Sequence, residues 1–403
     1  MSLPSLCLSR FHRLCALLLL PLLAAPVLGQ DNGGVVRSAA DYVYGQTMRF
    51  HLYASDIGAV ESITLYIRLG VSPDRFAVDV PVPEEPEITV SYTLDLTQTR
   101  LPPFSTITYW WDIERSEDTL QVPEQIVTYV DDQFNWSQLV ETDEQGGGSI
   151  RFHWTGEGAA LGEQARDLVM EMLPAIGRLL PLEEILPFDV YLYPSTSDLG
   201  AALRLAGRDY QPGQTFPDLG VVLATVVNPE TAEAELREEL SRGLVDLLLY
   251  QALGPYSYDV PPWLSRGIAG TVRGAPDVTL NNALRAALSS KTTLTVADLC
   301  AGMPIETDLA AAQSEALVGY IAATYGQDAI RQLANSFAAG QECPAALREA
   351  LQLTPEQLEA AWLRSVRTGE GSRSAAELAV WGALVVAGFG LAGLLLRRNR
   401  SES

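Results

Sequence analysis

Glu235-Leu236-Arg237-Glu238-Glu239-Leu240-Ser241-Arg242 opens an apolar stripe formed by Leu236, Leu240, Leu244 and Leu247. Spacings of three and four place these leucines on one side of a helix and leave Glu238, Glu239 and Arg242 off that stripe. Glu238 and Arg242 stand one turn apart, in the order that favours a glutamate–arginine pair. About two dozen residues on, Pro262-Trp263-Leu264-Ser265-Arg266-Gly267-Ile268-Ala269 brings in a further guanidinium, Arg266.

Outward from this helix the pattern changes twice. Towards the C-terminus helices dominate up to Arg367, including 312–325, 328–338 and 355–366. Towards the N-terminus, Leu161, Ala165, Leu168, Met172 and Ile176 recur at helical spacing, and Phe188–Tyr193 and Gly220–Val227 read as strands. Between Val35 and Val130 the chain is strand-like, with runs at 48–54, 63–69, 88–96 and 107–113 separated by Pro and Gly turns. Such runs predict a small β-sandwich. The acidic stretch from Asp131 to Gly148 reads as a turn or linker, with a strand at 150–154 beyond it. The fold class expected is α+β, with an N-terminal sandwich followed by an αβ lobe and a helical lobe.

The ends carry signals of another kind. Arg10 and Arg13 precede the apolar run Leu14–Leu20, and small residues follow at Ala24, Ala25 and Gly29, the order of a secretory leader over 1–29. Leu378 to Leu396 holds no charge and at helical rise reaches about 28 Å, enough for a bilayer core. Arg397, Arg398 and Arg400 follow it and place the C-terminus in the cytoplasm. The expected organisation is therefore a leader (1–29), a sandwich (35–135), a second domain (149–366), a linker (367–377), a membrane helix (378–396) and a basic tail (397–403). The body would be an extracytoplasmic ectodomain of a single-pass type I protein. A net charge of −23 opposes nucleic-acid binding. Outside the leader only Cys300 and Cys343 remain. They could form a disulfide, as suits that compartment, or stay as two buried thiols.

The motif helix, the segment Val260–Ala269, the strand Phe188–Tyr193, the stretch Ala312–Gly326 and the helix Leu353–Trp362 together resemble gluzincin-type peptidase MA-like membrane-anchored proteins. The resemblance covers most of residues 40–366 and includes Tyr109-Trp110-Trp111 and Tyr129-Val130-Asp131-Asp132 in the N-terminal part. It implies a zinc metallopeptidase fold whose helix reads His-Glu-x-x-His, with a third-ligand Glu in a Trp-Leu-x-Glu-Gly-x-Ala segment. Zinc needs two imidazoles one turn apart, a third ligand and an open position for water, which a Glu activates as general base.

Carried over position by position, the first His is Glu238, the second His is Arg242 and the third-ligand Glu is Arg266. Only the general-base position keeps its Glu, at Glu239. Outside the leader the histidines are His51 and His153, both in strand-like segments, so no displaced His pair is on offer. A guanidinium stays protonated and has no lone pair for a metal. The expectation is therefore no metal and no cofactor, with Glu238 and Glu239 facing Arg242 and Arg266 in ion pairs that replace it. Other chemistry has little material. Asp246 paired with Glu238 or Glu239 is a weak glycosidase-like pair, Ser241, Ser265 and Ser314 lack a His partner, and Lys291 is the sole lysine. Strand alternation puts Trp110 and Trp111 on opposite faces, one in the core and one partly exposed. Taken together, these readings lead to a peptidase-like protein without a working zinc site, binding a peptide or protein in the former substrate cleft. An active metal-dependent peptidase or hydrolase with an unusual site and a purely structural envelope protein are the alternatives.

Overall fold

The computed structural model describes residues 29–366 apart from 32–33, 71–73, 85–86, 143–148, 157, 227–230, 275–276 and 303–306. The apolar run of the expected leader, the linker, the expected membrane helix 378–396 and the basic tail lie outside the described residues. Among those described, no helix is long and apolar enough to cross a membrane. The chain divides into two compact units, Met1–Leu96 with Thr106–Thr128, and Thr97–Ser105 with Tyr129–Ser403.

The first unit is built from β1 (Gly29–Asp31), β2 (Gly34–Val43), β3 (Thr47–Ser55), β4 (Val60–Leu69), β5 (Arg75–Val80), β6 (Ile88–Asp95), β7 (Ser105–Arg115) and β8 (Thr119–Tyr129). They form two four-stranded sheets, β1-β2-β3-β6 and β5-β4-β7-β8. Alternate side chains are buried along β3 (Met48, Phe50, Leu52, Ala54) and β4 (Ile63, Leu65, Ile67), as period-two patterning requires. The sheets meet where the Trp111 indole donates to Ser38 Oγ (3.0 Å) and Phe50 packs edge-on against Tyr109. Trp110 departs from expectation because it is buried like its neighbour, at 5 % exposure against 0 % for Trp111. On its own face of the sheet it stacks on Tyr66, with the guanidiniums of Arg75 and Arg68 over its ring.

The second unit begins with β9 (Trp136–Thr142), β10 (Ser149–Thr155), α1 (Ala160–Leu179), β11 (Phe188–Tyr193), α2 (Thr196–Leu205), β12 (Thr215–Phe216) and β13 (Val221–Thr225). Its five-stranded sheet runs β12-β13-β11-β10-β9, parallel in the middle and antiparallel at both edges. The stretch expected as a linker thus contains an edge strand. Its polar composition misleads because Gln138, Val140 and Thr142 face solvent, as alternate residues of a half-covered strand do. Helices follow: α3 (Ala232–Leu253), α4 (Pro262–Arg273), α5 (Val278–Ser290), α6 (Val296–Cys300), α7 (Asp308–Tyr325), α8 (Gln327–Ala338) and α9 (Cys343–Leu351), with 355–366 also helical. One apolar core joins sheet and helices. It contains Phe152, Leu168, Val190, Leu244, Trp263, Leu317 and Trp362.

Two glycines set the spacing around α3 and α4. A Cβ on Gly243 would lie 2.6 Å from Val222 Cγ1, so α3 rests directly on β13. A Cβ on Gly267 would lie 2.5 Å from the Ser314 carbonyl oxygen, so α4 and α7 cross backbone against side. The fold is mixed α+β, N-terminal sheets followed by a largely helical lobe.

Candidate functional site

The leucine stripe behaves as its spacing demands. Leu236, Leu240, Leu244 and Leu247 are fully buried, which fixes the rotation of α3. Glu239 is buried as well, at 7 % exposure. Its carboxylate accepts from the Tyr210 hydroxyl (2.8 Å), the Thr225 amide (2.8 Å) and the Thr225 hydroxyl (2.9 Å). Strand β12 pairs only with Val221 and Val222, so Glu239 supplies the acceptor that Thr225 lacks beyond the end of β12. Burial pushes the Glu239 carboxyl above the usual carboxylate range, against the pull of the Tyr210 and Thr225 hydrogen bonds. Burial, with Glu239 adding to it, pushes the Tyr210 hydroxyl up to about 12. The segment carrying Tyr210 lies close on α3. Gly213 adopts φ +69°, and a Cβ there would stand 2.7 Å from the Glu239 carbonyl oxygen.

Glu238 takes part in a separate chain of charges. Arg242 pairs with it one turn along α3, and Arg273 at the end of α4 pairs with it from the neighbouring helix. Arg273, whose side chain is only 6 % exposed, reaches on to Glu315 of α7 (2.7 Å). Burial raises the Glu315 carboxyl, and the Arg273 guanidinium partly reverses the shift. For Arg273, burial works against the charge, yet the carboxylates of Glu238 and Glu315 hold its pKa above the ordinary value. The row Arg242–Glu238–Arg273–Glu315 alternates in sign and ties three helices together.

Arg266 does not join that row, contrary to the expectation that it would pair with Glu238 or Glu239. Its ion-pair partner is Asp246, one turn beyond Arg242 on α3, at 3.8 Å. Nor does Glu239 pair with a guanidinium in contact. The physical reason is that Arg273, two helical turns beyond Arg266 on α4, already occupies Glu238, while β13 and Tyr210 occupy Glu239. Asp246 has its carboxyl raised by burial, with Arg266 and then Arg242 drawing it back down. Two cavities border these residues. One of about 40 Å³ lies against Glu238, Arg242, Arg266 and Arg273. The other, about 440 Å³, is lined by Arg208, Asp246, Tyr258 and Arg266 among others.

The remaining candidates sit elsewhere. His51 bonds Asp41 on neighbouring strands of the first unit (2.6 Å), and His153 bonds Asp189 between β10 and β11 (2.7 Å). Ser241, Ser265 and Ser314 each donate to a carbonyl of their own helix segment, at Glu238, Pro262 and Ala310. Cys300 and Cys343 are bonded to each other. Sequence reasoning missed Arg273, Glu315, Tyr210 and Thr225. The seven-residue interval from Arg266 to Arg273 was a usable sign that both flank α3. Nothing local to Tyr210 or Thr225 points to Glu239.

Residues 177–368 match the model of the peptidase MA superfamily. No curated protein matches the sequence. Among solved structures, an M1 zinc metallopeptidase from Deinococcus radiodurans is 14% identical, with 79% of this chain and 90% of that one covered and a TM-score of 0.35. An aminopeptidase N family protein from Idiomarina loihiensis is 8% identical, covering 80% of this chain and 68% of its own, with a TM-score of 0.27. The zinc ion that the resemblance implies does not fit the residues present. Its three ligand positions hold one carboxylate already bound to two arginines and two guanidiniums without lone pairs. Among the described residues no group of three His, Cys, Asp or Glu side chains is placed to hold a metal.

Proposed function

We propose that this protein is a membrane-anchored, extracytoplasmic member of the peptidase MA superfamily that binds a peptide or protein ligand and does not hydrolyse it. The observation that carries the reading is the fate of four positions. Glu238, Arg242 and Arg266, where zinc ligands would stand, are engaged in ion pairs, and Glu239, at the general-base position, accepts three hydrogen bonds at the end of β13. A base must reach the proton it removes, and this one is committed to Tyr210 and Thr225. Binding is favoured over an inert scaffold by the cavity of about 440 Å³ that stays open beside Arg266, a size that suits a small ligand or a few residues of a chain.

The rest of the proposal rests on the sequence. A leader over 1–29 and a membrane helix over 378–396 would carry the sandwich and peptidase-like domains outside the membrane, with the basic tail in the cytoplasm. Protease protection of the tail in sealed vesicles tests that orientation, and a tail cut from outside refutes it. For the site, purified full-length protein is expected to carry no stoichiometric zinc and to leave a peptide mixture uncut. Zinc at one equivalent, or cleavage lost on Glu239→Gln, overturns the non-catalytic reading.

A further inference from the structure

The cavity of about 440 Å³ in the second unit has a composition that selects a ligand chemistry. Its walls include Leu249 and Val260, with Pro212, Pro217 and Pro262 adding apolar surface. Its charged lining is two guanidiniums, Arg208 and Arg266, against the single carboxylate of Asp246. In a chain with a net charge of −23, a concave surface with one more cation than anion runs against the general composition.

Neither guanidinium is satisfied by the protein. Each offers five N–H donors in a rigid fork. Arg208 makes one long bond to the Thr215 carbonyl (3.5 Å) while lying over the Phe216 ring, centroid 4.5 Å away. Arg266 makes no hydrogen bond among the described residues. Its Nη1 is buried without a partner, and its ion pair to Asp246 is at 3.8 Å, beyond hydrogen-bonding reach. The donors within a ligand's reach are those on the open part of the Arg266 side chain, and a bidentate carboxylate is the partner whose geometry matches the fork. Phe216 holds Arg208 in place from one face, and about a quarter of the Arg266 side chain stays open (27 %).

We propose that this cavity binds the C-terminal end of a peptide, with the terminal carboxylate held by Arg266 and Arg208 and an apolar last side chain against Leu249 and Val260. A monoanion neutralises the surplus positive charge of the lining, and the apolar walls account for a ligand larger than a bare anion. The exposed ring of Tyr258 at the cavity, with Tyr256 exposed nearby, supplies surface for the residues that precede the terminus. The proposal rests on the non-catalytic binding reading and gives it a ligand class. Arg266, one of the three residues that do not fit zinc, becomes a residue that recognises the ligand.

The test uses the full-length protein and three probes followed by calorimetry: N-acetyl-Ala-Leu-Leu as the free acid, the same peptide as its C-terminal amide, and inorganic phosphate. The acid is expected to bind about tenfold or more tightly than the amide, with phosphate competing weakly. Arg266→Gln is expected to abolish that preference, and Arg266→Lys to restore part of it, since an ammonium keeps the charge and loses the fork. Equal affinity for acid and amide, or no binding of either, overturns the proposal. Phosphate binding as tight as the acid also overturns it, because the site would then read charge alone. The wild-type comparison decides even if the arginine variants misfold. Mass spectrometry of the same mixtures separates the two readings. Cleavage of the peptide defeats the non-catalytic reading, whereas loss of acid–amide discrimination without cleavage defeats only the carboxylate assignment.

Discussion

Glu239 is the residue on which a catalytic and a structural reading of this site part most sharply, and its substitution by Ala and by Gln separates them. In Glu239→Ala the Thr225 amide, on a residue 1 % exposed, loses its acceptor. An orphaned buried donor costs about 1–3 kcal/mol, and the one lost methylene adds about 0.8 kcal/mol. The Tyr210 and Thr225 hydroxyls can turn to other partners, so a total of about 3 kcal/mol is expected. Glu239→Gln keeps the shape and an acceptor oxygen and should fall within about 1 kcal/mol of the parent at neutral pH. The two variants also differ in pH response. Burial holds the Glu239 carboxyl above its unfolded value. A group raised in this way contributes stability that is fully present below the unfolded pKa, about 4.3, and is lost as pH rises through the folded value. Glu239→Gln has no such loss, so its stability relative to the parent should improve as pH rises above about 4.3. Urea denaturation at several pH values, with deuterium uptake at the Thr225 amide, measures both effects. A Glu239→Ala variant within 0.5 kcal/mol of the parent (about one hydrogen bond's lower limit), with Thr225 still protected, would refute the clamp.

Three further outcomes follow from the same geometry. Arg273→Met leaves Glu238 and Glu315, each partly exposed, without their shared guanidinium. Breaking such a buried pair should cost about 2–4 kcal/mol in urea, somewhat under the full buried-pair value because water reaches both carboxylates. Gly267→Ala would push a methyl to within 2.5 Å of the Ser314 carbonyl oxygen and 2.4 Å of Val318 Cγ2, so the α4–α7 crossing must widen. Overpacking of this kind should destabilise by about 1–3 kcal/mol, and an unchanged urea midpoint would count against backbone contact there. Reducing Cys300–Cys343, separated by 43 residues, should cost about 4 kcal/mol by the chain-entropy relation, read as a fall in melting temperature with reductant.

How much of this was legible in the sequence depended on whether the cause was local. The rotation of α3 was readable from Leu236, Leu240, Leu244 and Leu247, because burial of one stripe orients the whole helix. The Glu238–Arg242 pair was readable from its four-residue spacing. Trp110 was misjudged because strand alternation says which face a ring takes. It does not say whether Tyr66, Arg68 and Arg75 will cover it there. β9 was hidden in an acidic stretch because an edge strand needs few apolar residues. Arg266 was assigned the wrong carboxylate because the choice among Glu238, Glu239 and Asp246 is made by Arg273 and by β13. Both approach α3 from distant parts of the chain.

The persistence of Glu239 at the general-base position need not reflect catalysis. In a hydrolytic site the carboxylate on this turn of helix would have a proton to collect from water. Here the same carboxylate meets the Thr225 backbone amide at the end of β13 and two hydroxyls, and the amide, which cannot turn elsewhere, is satisfied only if an acceptor stays at position 239. Substituting an apolar residue leaves a buried N–H bare, a cost that does not depend on a metal being present. At Glu238, Arg242 and Arg266 the side chains are engaged in ion pairs, with Arg242 and Arg273 on Glu238 and Asp246 on Arg266. The four positions are therefore under different constraints. One meets the hydrogen-bonding needs of β13, and the other three take part in ion pairs with neighbouring side chains. A Glu at position 239 therefore has a structural role that needs neither a metal nor a hydrolytic water.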